Sequence, residues 1–354
     1  MNTATATISQ TSLKEQWAKL QASKPNLRIR EAAIQLGVSE AELLATTIGE
    51  NTIRLDGDWT KLFKRLPELG RVMSLTRNNA CVLEHKGTFE KIDIIGEMPR
   101  AMATVIGRIE TRVFFNAWKF GFATEQVNHE RTLRSLQFFD GAGHAITKIY
   151  LQAGSNEEAF ENLVEDFKSK DQFEPLMTEK LGEPFSRKIE NVDKEGLMEA
   201  WANLQDTHDF FGLLRKYEVH RFDALQLAEG RFSSKIKKSA IKTMLEIVAE
   251  RQLPIMIFVG NRGNIQIHQD TVRNIRIIEN PEAVWLNVLD PDFNMHLRED
   301  LIDTVWIVKK PTTDGIVTSL EVFDKARNMI AQFFGLRKPG KPELDEWKAV
   351  VESL

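Results

Sequence analysis

The chain has 354 residues, of which 42% are hydrophobic and 28% charged, the balance of an ordinary globular protein. Its net charge of −4 argues against a nucleic-acid-binding protein, which normally carries a basic excess. The single cysteine, Cys81, excludes an intramolecular disulfide and a thiolate metal cluster, and its apolar neighbours predict a buried thiol.

Residues 1–12 are small and polar, without the basic and apolar segments of a targeting sequence, so we expect a flexible tail there. The longest strongly apolar run, residues 253–260, is far shorter than the ~18 residues that a membrane span requires. These observations predict a cytoplasmic protein without membrane insertion.

Residues 29–44 have the outline of a helix-turn-helix motif with Gly37 in the turn. The second helix would be acidic, whereas a helix that reads DNA bases presents Arg, Lys, Asn or Gln. Glu42 follows Ser39 by three residues, a spacing that predicts a capping box. We therefore interpret this segment as structural and expect no nucleic-acid partner.

An internal duplication relates the two halves of the chain. Residues 135–140 (SLQFFD) match residues 319–324 (SLEVFD) at an offset of 184 positions, and the same offset relates residues 146–151 to residues 330–335. A constant offset indicates that the chain contains two copies of one structural unit, and the remaining segments are therefore assigned copy by copy.

Each copy follows the same plan of helix, strands and helix. Helical segments open the copies at 27–46 and 197–229, and amphipathic helices close them at 157–168 and 342–354. Between them lie short alternating runs rich in Val, Ile and Phe, which predict antiparallel strands and hairpins rather than βαβ units. The predicted fold class is α+β, with two similar repeats that each combine an antiparallel sheet with flanking helices. The expected boundaries are an N-terminal repeat at 13–170, a charged connector at 171–196 and a C-terminal repeat at 197–354.

The most informative histidine is His208, in the segment DTHDFFGLL (206–214). On a helix, His208 shares a face with Phe211 and Leu214. A histidine on such a stripe is usually structural, but an imidazole can also serve as a ligand, so the residues alone leave both roles open. The sequence contains no P-loop, no dinucleotide-binding glycine motif and no zinc-protease or serine-hydrolase motif.

Residues 206–228 (DTHDFFGLLRKYEVHRFDALQLA) resemble the haem-ligand segment of the HemS/ChuS/HmuS family of bacterial haem-degrading and haem-trafficking proteins. Further resemblance lies in residues 255–268, 284–300, 306–324 and 331–337, so it covers nearly the whole chain. It implies two similar α+β repeats, with one haem per chain held in a cleft.

Position by position, the resemblance implies the parts of a haem site. His208 matches the axial ligand of the iron, Arg112 an arginine on the distal face, and Phe114 part of the apolar wall. Arg112 could donate hydrogen bonds to a small distal ligand, which would make it the catalytic residue. His296 aligns with Arg112 at the offset of 184 and is the alternative second ligand.

The same resemblance implies the contacts of the haem edge. Arg221, Lys310 and Arg337 match cationic residues suited to the propionates, with Lys309 as the alternative to its neighbour. Phe334 stands where many members have tyrosine, so ring packing is kept and a hydroxyl hydrogen bond is lost.

Two functions follow from the resemblance, since family members have been assigned to both. One is oxidative haem degradation to release iron, which would need an external electron donor because the sequence has no flavin or nicotinamide motif. The other is a non-catalytic haem carrier. The implied partners are an inner-membrane haem ABC transporter and either a reductase or a downstream haem oxygenase.

Overall fold

The computed structural model describes residues 10–128, 131–180, 182, 188–337 and 340–354. Residues 1–9 of the predicted tail lie outside these described residues. The helices are α1 (Gln10–Ser23), α2 (Ile29–Leu36), α3 (Glu40–Ala45), α4 (Trp59–Lys64), α5 (Glu157–Asp166), α6 (Lys194–Ala202), α7 (Asp209–Lys216), α8 (Arg221–Leu227), α9 (Ala240–Glu250) and α10 (Asp345–Glu352).

The strands are β1 (Thr52–Leu55), β2 (Val72–Arg77), β3 (Cys81–Gly87), β4 (Lys91–Ile95), β5 (Met102–Ile106), β6 (Glu110–Phe114), β7 (Phe120–Asn128), β8 (Arg131–Phe139), β9 (Ala145–Leu151), β10 (Ser233–Ile236), β11 (Ile255–Gly260), β12 (Asn264–Asp270), β13 (Ile275–Asn280), β14 (Ala283–Leu289), β15 (Phe293–Arg298), β16 (Thr304–Thr312), β17 (Gly315–Phe323) and β18 (Met329–Gly335).

The element bounds reproduce the internal duplication. Strands β7, β8 and β9 recur as β16, β17 and β18, shifted by 184 positions at both ends. A register shift between Phe138 and Phe139 recurs between Val322 and Phe323. Earlier elements align at a slightly smaller offset, since β1 and β10 are 181 positions apart. The predicted α+β class with duplicated antiparallel sheets and flanking helices is confirmed.

The chain divides into two compact units that do not coincide with its two halves. The described residues of the first unit fall in Met1–Thr76, Lys86–Leu181 and Asn261–Asn264. Those of the second fall in Arg77–His85, Gly182–Gly260 and Ile265–Leu354. Each unit therefore incorporates a short segment from the opposite half of the sequence.

In the first unit, β1, β7, β8, β9 and β2 pair in that order, and β4, β5 and β6 form a second antiparallel group. The turn at Asn261–Asn264, which comes from the second half of the chain, accepts hydrogen bonds from this unit. The carbonyl of Gly263 accepts the backbone N–H of Phe114 at 3.0 Å and the indole N–H of Trp118 at 3.1 Å. A Cβ at Gly263 would lie 2.6 Å from the Ile146 side chain, so the turn requires glycine there.

In the second unit, β10, β16, β17, β18, β11 and β12 pair in that order. Strand β3, which comes from the first half of the chain, pairs with β15. Strand β15 pairs in turn with β14, and β14 with β13. Cys81 of that strand is fully buried in an apolar core, and burial raises the pKa of its thiol to about 12. The predicted buried cysteine is confirmed.

The segment with a helix-turn-helix outline forms α2 and α3. Ser39 Oγ accepts the backbone N–H of Glu42 at 3.2 Å, and the Glu42 carboxylate accepts the backbone N–H of Ser39 at 2.8 Å, which confirms the predicted capping box. Five of the six residues of α3 are buried, so this helix packs inward. None of the helices in the described part of the chain has the length and apolar character needed to cross a bilayer.

Two buried histidines meet in the second unit. His85 Nε2 lies 3.3 Å from His268 Nδ1, and the His268 ring stacks on Phe293 with 3.7 Å between centroids. Gln266 Nε2 lies 2.8 Å from His85 Nδ1. Burial lowers the pKa of His268 to about 4. Burial and the neighbouring His268 hold the pKa of His85 well below its usual value.

This histidine pair predicts a loss of stability in acid. Below about pH 6.5 the histidines of the unfolded chain bind protons, whereas the buried pair in the folded protein stays neutral. The contribution of the pair to stability is therefore complete above pH 6.5 and is lost as the pH falls through about 4. His268 alone should lower the free energy of unfolding by about 3 kcal/mol over that interval. Urea denaturation of wild type and His268→Gln between pH 7.5 and 4 measures the difference.

The matched control is His144→Gln, because the side chain of His144 is 72% exposed. A hydrogen bond from the His144 ring to the Asp140 carboxylate raises the pKa of His144, so the contribution of His144 to stability has the opposite sign and is lost as the pH rises. Parallel stability curves for wild type and His268→Gln in acid would contradict the prediction.

Candidate functional site

His208 stands immediately before the first residue of α7 and its side chain is 92% exposed. The Asp206 carboxylate accepts the backbone N–H of His208 at 2.8 Å and lies 2.5 Å from its Nδ1. The backbone hydrogen bond from His208 is the main cause of a lowered pKa at Asp206. A carboxylate at Nδ1 favours the proton on that nitrogen and leaves the Nε2 lone pair for a ligand or metal.

Helix α7 buries a different face from the one that the sequence predicted. Phe210, Leu213 and Leu214 are buried, whereas Phe211 is 65% exposed. The predicted common face of His208, Phe211 and Leu214 is therefore wrong, because His208 precedes the helix and Phe210 fills the core position. Phe210 packs edge-on against Trp201 of α6, which fixes the start of α7.

A buried carboxylate, Glu321 on β17, holds two of the predicted cationic residues together. Arg221 donates to it through Nε and Nη2, both at 2.7 Å, and Lys310 Nζ donates at 3.0 Å. Gln332 Nε2 donates a further hydrogen bond at 3.0 Å. Glu321 is 0% exposed, so the cluster is a buried triad of two cations and one anion inside the second unit.

Burial sets the protonation of this cluster. Burial alone would raise the pKa of Glu321, but the charges of Arg221 and Lys310 hold it well below its ordinary value. Burial lowers the pKa of Lys310 to about 8, against the opposing effect of Glu321. Lys310 therefore releases its proton at a lower pH than an ordinary lysine does.

Aromatic rings form one side of the cluster. The Arg221 guanidinium lies 5.0 Å from the centroid of Phe210, and Lys310 Nζ lies 4.7 Å from the same ring. Lys310 Nζ also lies 5.9 Å from the centroid of Phe334. The structure thus brings Arg221, Lys310 and Phe334 together beside the helix that follows His208.

The neighbouring lysine takes no part in this cluster. Lys309 is exposed, whereas Lys310 is buried, because adjacent residues of β16 point to opposite faces. Arg337 has a different partner, since its Nη2 donates to Asp314 at 3.2 Å. Its side chain is 15% exposed.

Arg112 and Phe114 lie on β6, in the first compact unit. Arg112 Nη2 donates to the Glu110 carboxylate at 2.9 Å, and Nη1 donates to the carbonyls of Val105 and Thr111, each at 3.2 Å. These bonds fix the position of a half-buried guanidinium. Phe114 is half-buried at the end of the strand.

His296, the alternative ligand, is half-buried on β15, and its Nδ1 lies 2.7 Å from Asn287 Oδ1. Within the described ranges, no group of three or more His, Cys, Asp or Glu side chains is arranged to hold a metal ion.

Glu321 is the residue of the cluster that sequence reasoning missed. The matching segments 135–140 and 319–324 contained the signal, because Glu321 replaces the uncharged Gln137 at a buried position of the strand. A charged residue at such a position is almost always paired.

Comparison with known proteins gives one family. The model of the haemin-degrading HemS.ChuX domain matches twice, at residues 37–167 and 218–354. The chain is 33% identical over 347 residues to the hemin transport protein HemS of Yersinia enterocolitica and 32% identical over 352 residues to HmuS of Yersinia pestis, with 97% of each chain covered.

Solved structures agree with these matches. Holo-PhuS, a heme-binding protein from Pseudomonas aeruginosa, is 40% identical with a TM-score of 0.93, covering 98% of this chain and 99% of that one. The heme-degrading enzyme ChuS of Escherichia coli O157:H7 is 28% identical with a TM-score of 0.90 and the same coverage.

Proposed function

The chain belongs to the haemin-degrading HemS.ChuX family, and we propose from this that it binds one haem per chain in the cytoplasm after haem uptake. His208 is the axial ligand of the iron. Arg221, Lys310 and Arg337 hold the propionates, and Phe114 and Phe334 pack against the macrocycle.

The observation that carries this proposal is the arrangement at the start of α7. A histidine oriented by Asp206 is followed two residues later by Phe210, whose ring lies against the cations of Arg221 and Lys310. Haem requires an imidazole for iron, apolar rings for the macrocycle and cations for two carboxylates. The donor types present fit that group.

The direct test is titration of the protein with ferric haem. We expect saturation at one equivalent with the absorption spectrum of a histidine-ligated haem. Saturation at two equivalents would support His296 as a second ligand, and an unchanged spectrum of free haem would reject the proposal.

For the fate of the haem, we propose oxidative opening of the ring with electrons from an external reductant. The heme-degrading enzyme ChuS supports this proposal, since its structure matches over nearly the whole chain. In this role Arg112 is the catalytic residue that donates hydrogen bonds on the distal face, and Glu110 holds it there.

A carrier that receives haem from an inner-membrane haem ABC transporter and passes it to a downstream haem oxygenase is the second candidate. The observation that favours it is the naming of two relatives as hemin transport proteins and of PhuS as a heme-binding protein. An enzyme would depend on a partner reductase, and a carrier would not.

Removing the propionate cations is expected to weaken haem binding without changing the axial ligand. Charge-assisted contacts contribute roughly 1.5–3 kcal/mol each, so Arg221→Ala, Lys310→Ala and Arg337→Ala should each raise the haem Kd about ten- to a hundredfold. Absorbance titration measures the Kd, and the Soret position reports His208. Lys309→Ala, on the exposed face of the same strand, is the matched control. If haem dimethyl ester bound the wild type as tightly as haem, the propionate assignment would be wrong.

A further inference from the structure

The two repeats build the same buried polar slot with different charges. In the second repeat, Arg221 is the first residue of α8 and bonds Glu321 on β17. In the first repeat, Glu40 is the first residue of α3 and bonds Lys148 on β9. The helices correspond at an offset of 181 positions. At the strand offset of 184, Gln137 aligns with Glu321 and Lys148 aligns with Gln332, so the sheet partner of the helix comes from a neighbouring strand in each repeat. In both slots the first residue of a helix reaches an oppositely charged residue of the sheet.

The charges within the two slots differ by one. In the first repeat, Lys148 and Glu40 are both buried and neutralise each other. Gln137 occupies the position of Glu321 and bonds Ser135 and Thr124. In the second repeat, Lys310 adds a cation, so two positive charges share one carboxylate. Of the two slots, the second carries an excess positive charge, and Arg221 is its partly exposed cation.

The geometry points to Glu321 as a positioning residue for a carboxylate ligand. We propose that it holds Arg221 and Lys310 in the orientation, and Lys310 in the charged form, in which the pair binds the carboxylate of a porphyrin. The proposal rests on the proposed haem-binding function, and it adds to that function a residue that need not touch haem.

The hydrogen bonds leave donors for such a ligand. Two of the five N–H groups of Arg221 bond Glu321, and the other three make no hydrogen bond to any residue that the structure describes. The side chain of Arg221 is 23% exposed, so it reaches the surface, whereas Glu321 is fully enclosed. A bidentate carboxylate fixes the plane of a guanidinium and therefore the direction of its remaining N–H groups.

Glu321 also determines the charge of Lys310. Burial and the neighbouring Arg221 both favour the neutral amine, and Glu321 is the group that favours the cation. Two further polar side chains, Gln332 and Ser319, are neutral and donate hydrogen bonds to Glu321. Without Glu321, Lys310 would lose its proton near neutral pH, and the slot would lose one of its two cations.

The first arm of the test needs no haem. In protein labelled with ¹³C-lysine, the Lys310 resonance is followed by NMR against pH and assigned by its absence in Lys310→Met. In Glu321→Gln, we expect the Lys310 titration midpoint to fall by about 1–3 pH units, the usual effect of a close opposite charge. Glu40→Gln removes the buried carboxylate of the other slot and should leave Lys310 unchanged.

The second arm compares haem with haem dimethyl ester. Glu321→Gln should raise the Kd for haem by about tenfold or more at pH 7.5 and leave the Kd for the ester nearly unchanged, so that the preference for the free acid collapses. Glu40→Gln should keep the wild-type preference, and the Soret position should stay that of the His208 complex. Glu321→Asp keeps the charge on a shorter side chain and should recover part of the preference for haem over the ester. If circular dichroism shows that Glu321→Gln is unfolded, Glu321→Asp takes its place in both arms.

The two proposals fail in different ways. If the wild type binds haem and the ester with equal affinity, or binds neither of them, the propionate site is rejected. The lysine titration would still decide the role of Glu321 in that case. A folded Glu321→Gln protein with an unmoved Lys310 titration and an intact preference for haem would overturn the positioning role and leave haem binding standing.

Discussion

Replacing His208 with alanine is expected to weaken ferric haem binding more than any other single change and to abolish or displace the Soret band of the histidine complex. In the proposed site His208 is the axial ligand, and its ring is exposed and oriented by Asp206. Losing an outer hydrogen-bond partner of a metal ligand typically costs 10–100-fold in affinity, so losing the ligand itself should exceed about a hundredfold. Absorbance titration with ferric haem measures both effects.

Two variants test whether the effect belongs to ligation. Asp206→Asn keeps the imidazole and removes its charged partner, so its Kd should rise by ~10–100-fold while the Soret position changes little. His144→Ala removes another largely exposed histidine that also pairs with an aspartate, and it should leave binding intact. A His208→Ala protein with unaltered affinity and spectrum would rule out the axial assignment.

Replacing Arg112 with alanine is expected to separate haem binding from haem degradation. Haem should stay ligated through His208, whereas the rate of ring opening should fall by a factor of ~10²–10³, the usual effect of losing a preorganised hydrogen-bond donor. The Glu110 carboxylate and two backbone carbonyls hold the guanidinium in place, so its donors need little reorganisation. The measurement is reductase-driven haem turnover with catalase present to remove peroxide.

The controls come from the same hairpin. Arg108→Ala removes an exposed arginine close to Arg112 in sequence and should keep the wild-type rate. Glu110→Gln keeps the guanidinium but weakens its anchor, so an intermediate rate is expected. The wild type is the decisive sample: if it opens the ring only when peroxide accumulates, the enzymatic proposal fails and the carrier remains.

The broad architecture was predictable because it is encoded in local patterns. A repeated SLxxFD segment at a fixed offset signalled the duplication, and alternating apolar runs signalled antiparallel strands. The capping box at Ser39 depends on residues three positions apart, so the sequence contains all of its information. The roles of His208, Arg112 and the propionate cations came from resemblance and stay predictions.

Long-range features were not accessible in the same way. Glu321 becomes meaningful only when folding brings Arg221 and Lys310 to it from sequence distances of 100 and 11 positions. The assignment of Arg77–His85 to the second compact unit depends on the pairing of β3 with β15, more than 200 residues later. The sequence pattern places Phe211 rather than Phe210 on the buried face because it treats His208 as part of the helix, whereas α7 begins at Asp209.

The exchanged segments impose an order on folding during synthesis. A ribosome that has made only the first half of the chain has not yet made Gly263, whose carbonyl accepts the N–H groups of Phe114 and Trp118. Likewise β3 cannot pair until β15 has been made, so until then the apolar side chain of Leu83 lacks the rest of the core in which it is buried. Because domains usually fold as units as they emerge, a nascent chain of this design exposes unpaired strand edges until the second half is made. The early half is therefore the part of the protein whose strand edges stay open to aggregation until synthesis is complete.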